Sequence, residues 1–259
     1  MDIDVTGLRV IITAGASGIG LATADEFLEG GANVQVCDVD AEALAGFGQR
    51  HPGAGAWHAD VSDEKAVDTF VAGAVDAMGG VDVLVNNAGI AGPGGRLDTL
   101  ELDEWNRTID VNVNGTFLTS RRVIPHLVAQ SSGSIVNMSS TAGLMGFPNR
   151  SAYAAAKWAI IGLTKTMAME LGGFGIRVNA ICPGSVDADR MRRVVELEAE
   201  ASGRSVDEVR AGFTQAVSLQ TFVDPADIAS MICFVCSPAG AKISGQALTV
   251  DGHTESARS

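Results

Sequence analysis

Tyr153, the single tyrosine of the chain, and Lys157 stand four residues apart in Ser151-Ala152-Tyr153-Ala154-Ala155-Ala156-Lys157. This alanine-rich run predicts a helix, and the spacing puts phenol and ammonium on one face of it. A phenol with a pKa near ~10 is a poor acid-base catalyst at neutral pH; a neighbouring cation stabilises the phenolate, and a tenfold gain in the ionised form corresponds to about 1.4 kcal/mol. A Tyr/Lys pair at this spacing also decorates ordinary solvated helices, so its company matters. Ser140 lies 13 residues earlier and closes the run Gly133-Ser134-Ile135-Val136-Asn137-Met138-Ser139-Ser140. There the C-terminal edge of a parallel strand would open into a ligand crevice, and the hydroxyl would hydrogen-bond a reacting oxygen.

A second group of residues has the chemistry of phosphate binding. Thr13-Ala14-Gly15-Ala16-Ser17-Gly18-Ile19-Gly20 joins an apolar strand to the helical run 21–28. A helix N-terminus carries unpaired N–H groups and partial positive charge, so a diphosphate docks there when no bulky side chain holds it off. Gly15, Gly18 and Gly20, with Ser17 and Ile19 between them, allow that approach; close packing of helix on strand is the alternative. The second strand ends in Asp38, 18 residues after Gly20, close to the roughly 20-residue offset at which an acid accepts from the adenosine ribose. Its charge would repel a 2′-phosphate, and no Arg or Lys lies between Thr13 and Asp38 to neutralise one. The sequence therefore favours NAD over NADP, with a solvated turn aspartate as the bland alternative.

The elements that must position these residues follow from the alternation of short β-branched runs with helical segments, the signature of βαβ units in a parallel sheet covered on both faces. Strands are expected at 9–13, 33–37, 55–58, 81–86, 134–138, 177–181 and 247–250, and helices at 20–29, 64–78, 103–123, 153–171 and 225–236. Seven strands fit one α/β domain over residues 1–259. Between the sixth strand and the Asp224 helix, charged helical residues from about 187 to 220 exceed an ordinary connection and suggest a lid over a site.

Composition narrows the classes. A formal net charge of -13 and a pI of about 4.6 oppose binding to nucleic acid or acidic lipid. No apolar run reaches the roughly 20 residues of a membrane span, and the acidic start Met1-Asp2-Ile3-Asp4 is unlike a secretory signal, so a cytoplasmic protein is expected. Cys37, Cys182, Cys233 and Cys236 are too sparse for a disulfide framework. Cys233 and Cys236 form a C-x-x-C that reads as a redox or metal pair or, given its apolar surroundings, as buried helix packing. His51, His58, His126 and His253 lack the spacing of helical metal ligands, and no catalytic metal is expected.

Taken together, these motifs resemble the short-chain dehydrogenase/reductase family, in order and over nearly the whole chain. The resemblance implies a single-domain Rossmann-type, doubly wound parallel sheet of about seven strands with helices on both faces. It adds Asn112, in Asp110-Val111-Asn112-Val113-Asn114-Gly115, to Ser140, Tyr153 and Lys157 as holder of a proton-relay water. It makes Asp60-Val61 the adenine-contacting pair, has Asn87, Ala88 and Gly89 line the cofactor, and brings Pro183, Gly184 and Val186 to the nicotinamide end, where Lys157 also holds the ribose. Two positions depart from the family pattern: Ala14 stands where the first loop glycine is usual, and Ala188 where a threonine is. A homotetramer, or a homodimer, is further implied.

The function expected is hydride transfer between NAD and a secondary alcohol or its ketone, with Tyr153 as acid/base. An anionic substrate meeting Arg190, Arg192 or Arg193 is weighed against a solvated helix face, since Glu196 follows Arg192 at i+4. The alternatives are a non-catalytic NAD-binding sensor, which would not need the quartet, and an NADP-dependent 3-oxoacyl reductase, for which no dense basic patch is visible. Nucleotide-sugar epimerases or dehydratases resemble longer chains.

Overall fold

β-branched runs without polar alternation belong in a sheet covered on both faces, and such a sheet is present in the computed structural model. It describes residues 3–254, leaving out the side chains at 189, 190, 193, 197, 198 and 201. The strands are β1 (Arg9–Thr13), β2 (Asn33–Asp38), β3 (Gly55–His58), β4 (Val83–Asn86), β5 (Gly133–Met138), β6 (Ile176–Pro183) and β7 (Ala247–Val250). All pair in parallel, in the order β3-β2-β1-β4-β5-β6-β7. The chain moves outward from β1 in one direction, then returns to place β4 on its other side. That reversal opens a crevice at the C-terminal ends of β1 and β4.

The helices are α1 (Gly18–Glu29), α2 (Ala41–Arg50), α3 (Glu64–Met78), α4 (Leu102–Ile109), α5 (Gly115–Gln130), α6 (Ser151–Leu171), α7 (Asp189–Ser202), α8 (Val206–Gln215) and α9 (Pro225–Cys236). Alternation along β1 assigns them to two layers. Val10 and Ile12 pack with Phe27, Phe47, Ile228 and Ile232 of α1, α2 and α9. Ile11, from the opposite face, packs with Phe70, Leu127 and Met167 of α3, α5 and α6. Asp40 and Asp63 start α2 and α3 by accepting from the first free backbone N–H groups, and Asp224 starts α9 through a capping box with Asp227. Cys233 and Cys236 are buried in α9 without a disulfide, and burial pushes both thiols up, that of Cys236 to about 11. This is the packing reading of the C-x-x-C.

Several expected boundaries shift. β4 starts at Val83 rather than 81, and β6 runs on to Pro183. The helix expected over 103–123 is three pieces. α4 passes into a π turn, Asp110–Asn114, before α5 continues to Gln130. The Gly115 N–H donates to the Asp110 carbonyl, five residues back, so one residue is accommodated beyond the α-helical repeat. The long charged connection is formed by α7 and α8, the second started by a Ser205–Glu208 capping box.

Candidate active site

Each glycine between β1 and α1 answers a different constraint. A Cβ on Gly15 would stand 2.6 Å from the Val36 Cβ on β2, and one on Gly20 would stand 2.1 Å from the Ala14 carbonyl oxygen. Gly18 has φ +53° and open space above it. Ser17 precedes α1 in extended conformation, exposed, without a capping bond from its side chain. The first N–H groups of α1 are thus uncapped by a side chain at an accessible helix end, a fitting place for a diphosphate. The Ile19 side chain, partly buried, packs against the core beneath the loop.

Ala14 has φ +50°, so the missing glycine has an energetic consequence. Left-handed backbone costs an L-residue roughly 1–2 kcal/mol, offset partly by the greater unfolded-state freedom of glycine. Ala14→Gly is expected to stabilise the fold by about 1 kcal/mol and leave NADH binding unchanged; a lower melting temperature would show that the alanine methyl contributes packing instead.

The ends of β1 and β4 are stapled together. The Thr13 hydroxyl accepts from the backbone N–H groups of Asn87 and Ala88, both at 3.0 Å, and the Asn87 amide donates to the carbonyls of Thr13 and Ala14. The side chain of Asn87 is therefore committed to holding the crevice floor. Asp38, 8% exposed at the end of β2, accepts from the N–H groups of Ala16, Val39 and Asp40, which aims its carboxylate at the glycine loop. Beyond β3, Asp60 accepts from the N–H and hydroxyl of Ser62 and from Arg107 of α4, while Val61 is buried. Partial burial pushes the Asp60 carboxyl up, but the bonds from Ser62 and Arg107 outweigh it and leave the group below its ordinary value.

At the other end of the crevice, α6 carries Tyr153 half-buried and Lys157 at 4% exposure, with the ammonium 5.5 Å from the phenol ring centroid. Lys157 donates to the Met138 carbonyl at 2.8 Å, and the Ser139 hydroxyl donates to the Lys157 carbonyl, fastening α6 to the end of β5. Ser140 opens the short turn Thr141–Gly143, which packs so closely on α6 that a Cβ at Gly143 would lie 2.7 Å from the Lys157 carbonyl oxygen. The Ser140 oxygen accepts from the Ala142 N–H, which leaves its proton for donation.

Asn112 occupies the π turn at 1% exposure. Its amide donates to the carbonyls of Ile90 and Thr108, and its Oδ1 has no partner. A Cβ at Gly89 would lie 2.7 Å from that Oδ1 and 3.3 Å from the Lys157 ammonium, so both groups border the space that a side chain at 89 would fill. An orphaned buried acceptor beside a cation fits a bridging water.

Pro183 ends β6, and a Cβ on Gly184 would meet Asp251 at 2.8 Å. Val186 forms a parallel bridge to Val223 through the Ser185 carbonyl and Asp187 N–H, which turns its own N–H to the opposite side. Ala188 stands just before α7, and its N–H donates to the Val186 carbonyl. Arg192 lies 3.8 Å from Asp187, which also pairs with Arg210. The Arg190 and Arg193 side chains lie outside the described residues. Among the described residues no group of three His, Cys, Asp or Glu is arranged to hold a metal, and no helix is long and apolar enough to cross a membrane.

Three contributors had escaped the sequence reading: Thr13, Ser139 and Arg107. The first two were visible as polar residues at strand ends. Arg107 bears no local signal, because its partner Asp60 is 47 residues away.

Comparison with known proteins agrees with this geometry. A family model described as short chain dehydrogenase matches residues 9–199. The 2-(R)-hydroxypropyl-CoM dehydrogenase of Xanthobacter autotrophicus is 36% identical over 255 residues, 93% of this chain and 96% of that one. The 3-oxoacyl-(acyl-carrier-protein) reductase of Thermotoga maritima is 34% identical, covering 95% and 97% of the two chains. The crystal structure of an NAD+-bound xylitol dehydrogenase superposes with a TM-score of 0.89 at 32% identity, over 96% of this chain and 99% of the other.

Proposed function

Because the chain belongs to the short-chain dehydrogenase family, whose named relatives are dehydrogenases and reductases, we propose that it interconverts a secondary alcohol and a ketone with NAD rather than NADP. One observation carries the catalytic reading: the unpartnered Asn112 Oδ1 and the buried Lys157 ammonium border one space beside Gly89, one helical turn behind the phenol. The nicotinamide ring of the bound coenzyme supplies the hydride acceptor or donor. Tyr153 takes the hydroxyl proton of the alcohol, and Lys157 favours the ionised phenol. Ser140 donates to the substrate oxygen and orients it. Asn112 holds a water that passes the proton from Lys157 outward.

The fit to a dinucleotide rests on the uncapped start of α1 and the cradle at Gly15, Gly18 and Gly20 for the diphosphate. Asp38 takes the ribose hydroxyls and repels a 2′-phosphate, Asp60 with Val61 takes adenine, Ala88 and Gly89 border the ring side, and Pro183, Gly184 and Val186 face the carboxamide. Within one domain, α7 and α8 form a lid hinged at the Val186–Val223 bridge. Exposed Leu102, Phe117, Trp158 and Met169 on α4, α5 and α6 support assembly as a homotetramer, or at least a dimer.

The test is made on the assembled peak, sized by light scattering, by following absorbance at 340 nm with NAD or NADP and a panel of secondary alcohols and ketones. Turnover with a higher kcat/KM for NAD, from a species of two or four copies, is expected. Preference for NADP would overturn the role of Asp38, silence with measurable NADH binding would move weight to the sensor, and a monomer would remove the assembly.

A further inference from the structure

The Arg107–Asp60–Ser62 cluster at the end of β3 is built more tightly than its exposure explains. Arg107 donates through one Nη to the Ser62 hydroxyl at 2.6 Å and through the other to Asp60 Oδ2 at 2.9 Å. Ser62 donates its N–H and hydroxyl to Asp60 Oδ1 at 2.9 and 2.7 Å. The three side chains form a closed triangle, yet Arg107 is 51% and Asp60 35% exposed, a setting in which an ion pair adds little to stability.

An ionised carboxylate accepts about four hydrogen bonds, and three here are taken, so capacity remains for one more donor. The triangle fixes the carboxylate plane, because the rigid guanidinium fork must reach Asp60 and Ser62 at once, which a lysine ammonium does less well. We infer that Arg107 is a positioning residue: it holds Asp60 to accept from the exocyclic amine of adenine, and thereby sets the preference for adenine over a purine with a carbonyl at that position. This rests on the dinucleotide reading above. A 6-oxo purine would present an acceptor oxygen to an anion, a repulsive pairing in place of a charge-assisted bond.

The experiment is a fluorescence titration of the whole protein with NADH and with reduced nicotinamide hypoxanthine dinucleotide, which replaces the amine with a carbonyl. The natural chain should bind NADH about tenfold or more tightly than the analogue. In Arg107→Gln that ratio should fall to within about twofold. Were Arg107 only packing α4, both dissociation constants would rise together and the ratio would stay as in the natural chain, overturning the inference. Equal binding of the two dinucleotides by the natural chain would overturn it as well. Binding of neither would bring down the dinucleotide reading itself, a result distinct from the others. If Arg107→Gln does not fold, Arg107→Lys serves in its place, with a reduced ratio expected and an unchanged one overturning the role.

Discussion

Tyr153→Phe should lower turnover by about 10³-fold while NADH binds within about twofold of the natural chain. The substitution removes one oxygen from a half-buried ring and leaves the ring in place beside Lys157. The ammonium keeps its bond to the Met138 carbonyl, so the scaffold that fastens α6 to β5 is undisturbed. What disappears is the group proposed to take the substrate proton, and the chain has no other tyrosine to substitute for it. Steady-state rates and a NADH titration on the same preparation check both halves. Retained turnover would move the acid-base role to another residue; loss of binding would make the phenol structural.

Gly20→Ala is expected to destabilise the fold by about 3 kcal/mol and weaken NADH binding more than tenfold. The added methyl would stand 2.1 Å from the Ala14 carbonyl oxygen and 2.5 Å from the Asn87 amide nitrogen. Neither can retreat easily, since that carbonyl and amide are bonded to each other at 2.9 Å and Asn87 is also tied to Thr13. α1 would have to lift from the end of β1, moving the N–H groups proposed to hold the diphosphate. Gly46→Ala on α2, where the methyl meets nothing, is the control for a generic glycine effect. Thermal unfolding with NADH titration makes the comparison, and a Gly20→Ala protein indistinguishable from the control would show that the loop tolerates a wider crevice.

Residues that act through local spacing were legible. The glycine loop, the Tyr153–Lys157 pair and the apolar strands each announce themselves within a few neighbours, and the structure sets the loop after the C-terminal end of β1 and ties the pair to the C-terminal end of β5. What the sequence hid depends on distance or on irregular backbone. The bond between Arg107 and Asp60 exists only after β3 and α4 have been packed. The left-handed backbone at Ala14 contradicts the residue type, so the residue gives no sign of it. α2 has two glycines in ten residues and buries only Leu44 and Phe47, which leaves little for a helical template to register. The interrupted helix before residue 123 is the same failure at larger scale, because a 3.6-residue template has no place for a turn of a different period.

That π turn also acts as a splice between two halves of one rod. Because the Gly115 N–H reaches five residues back, the wider turn absorbs one extra residue and lets α5 continue from α4. Deleting one residue from 110–114 would let the turn close as ordinary α-helix, so Arg107 on one side and Phe117 on the other would keep their bearings. What would be lost is the bulge itself, and with it the position of the unpartnered Asn112 Oδ1 beside Lys157. The extra residue thus serves to place one acceptor rather than to join two helices.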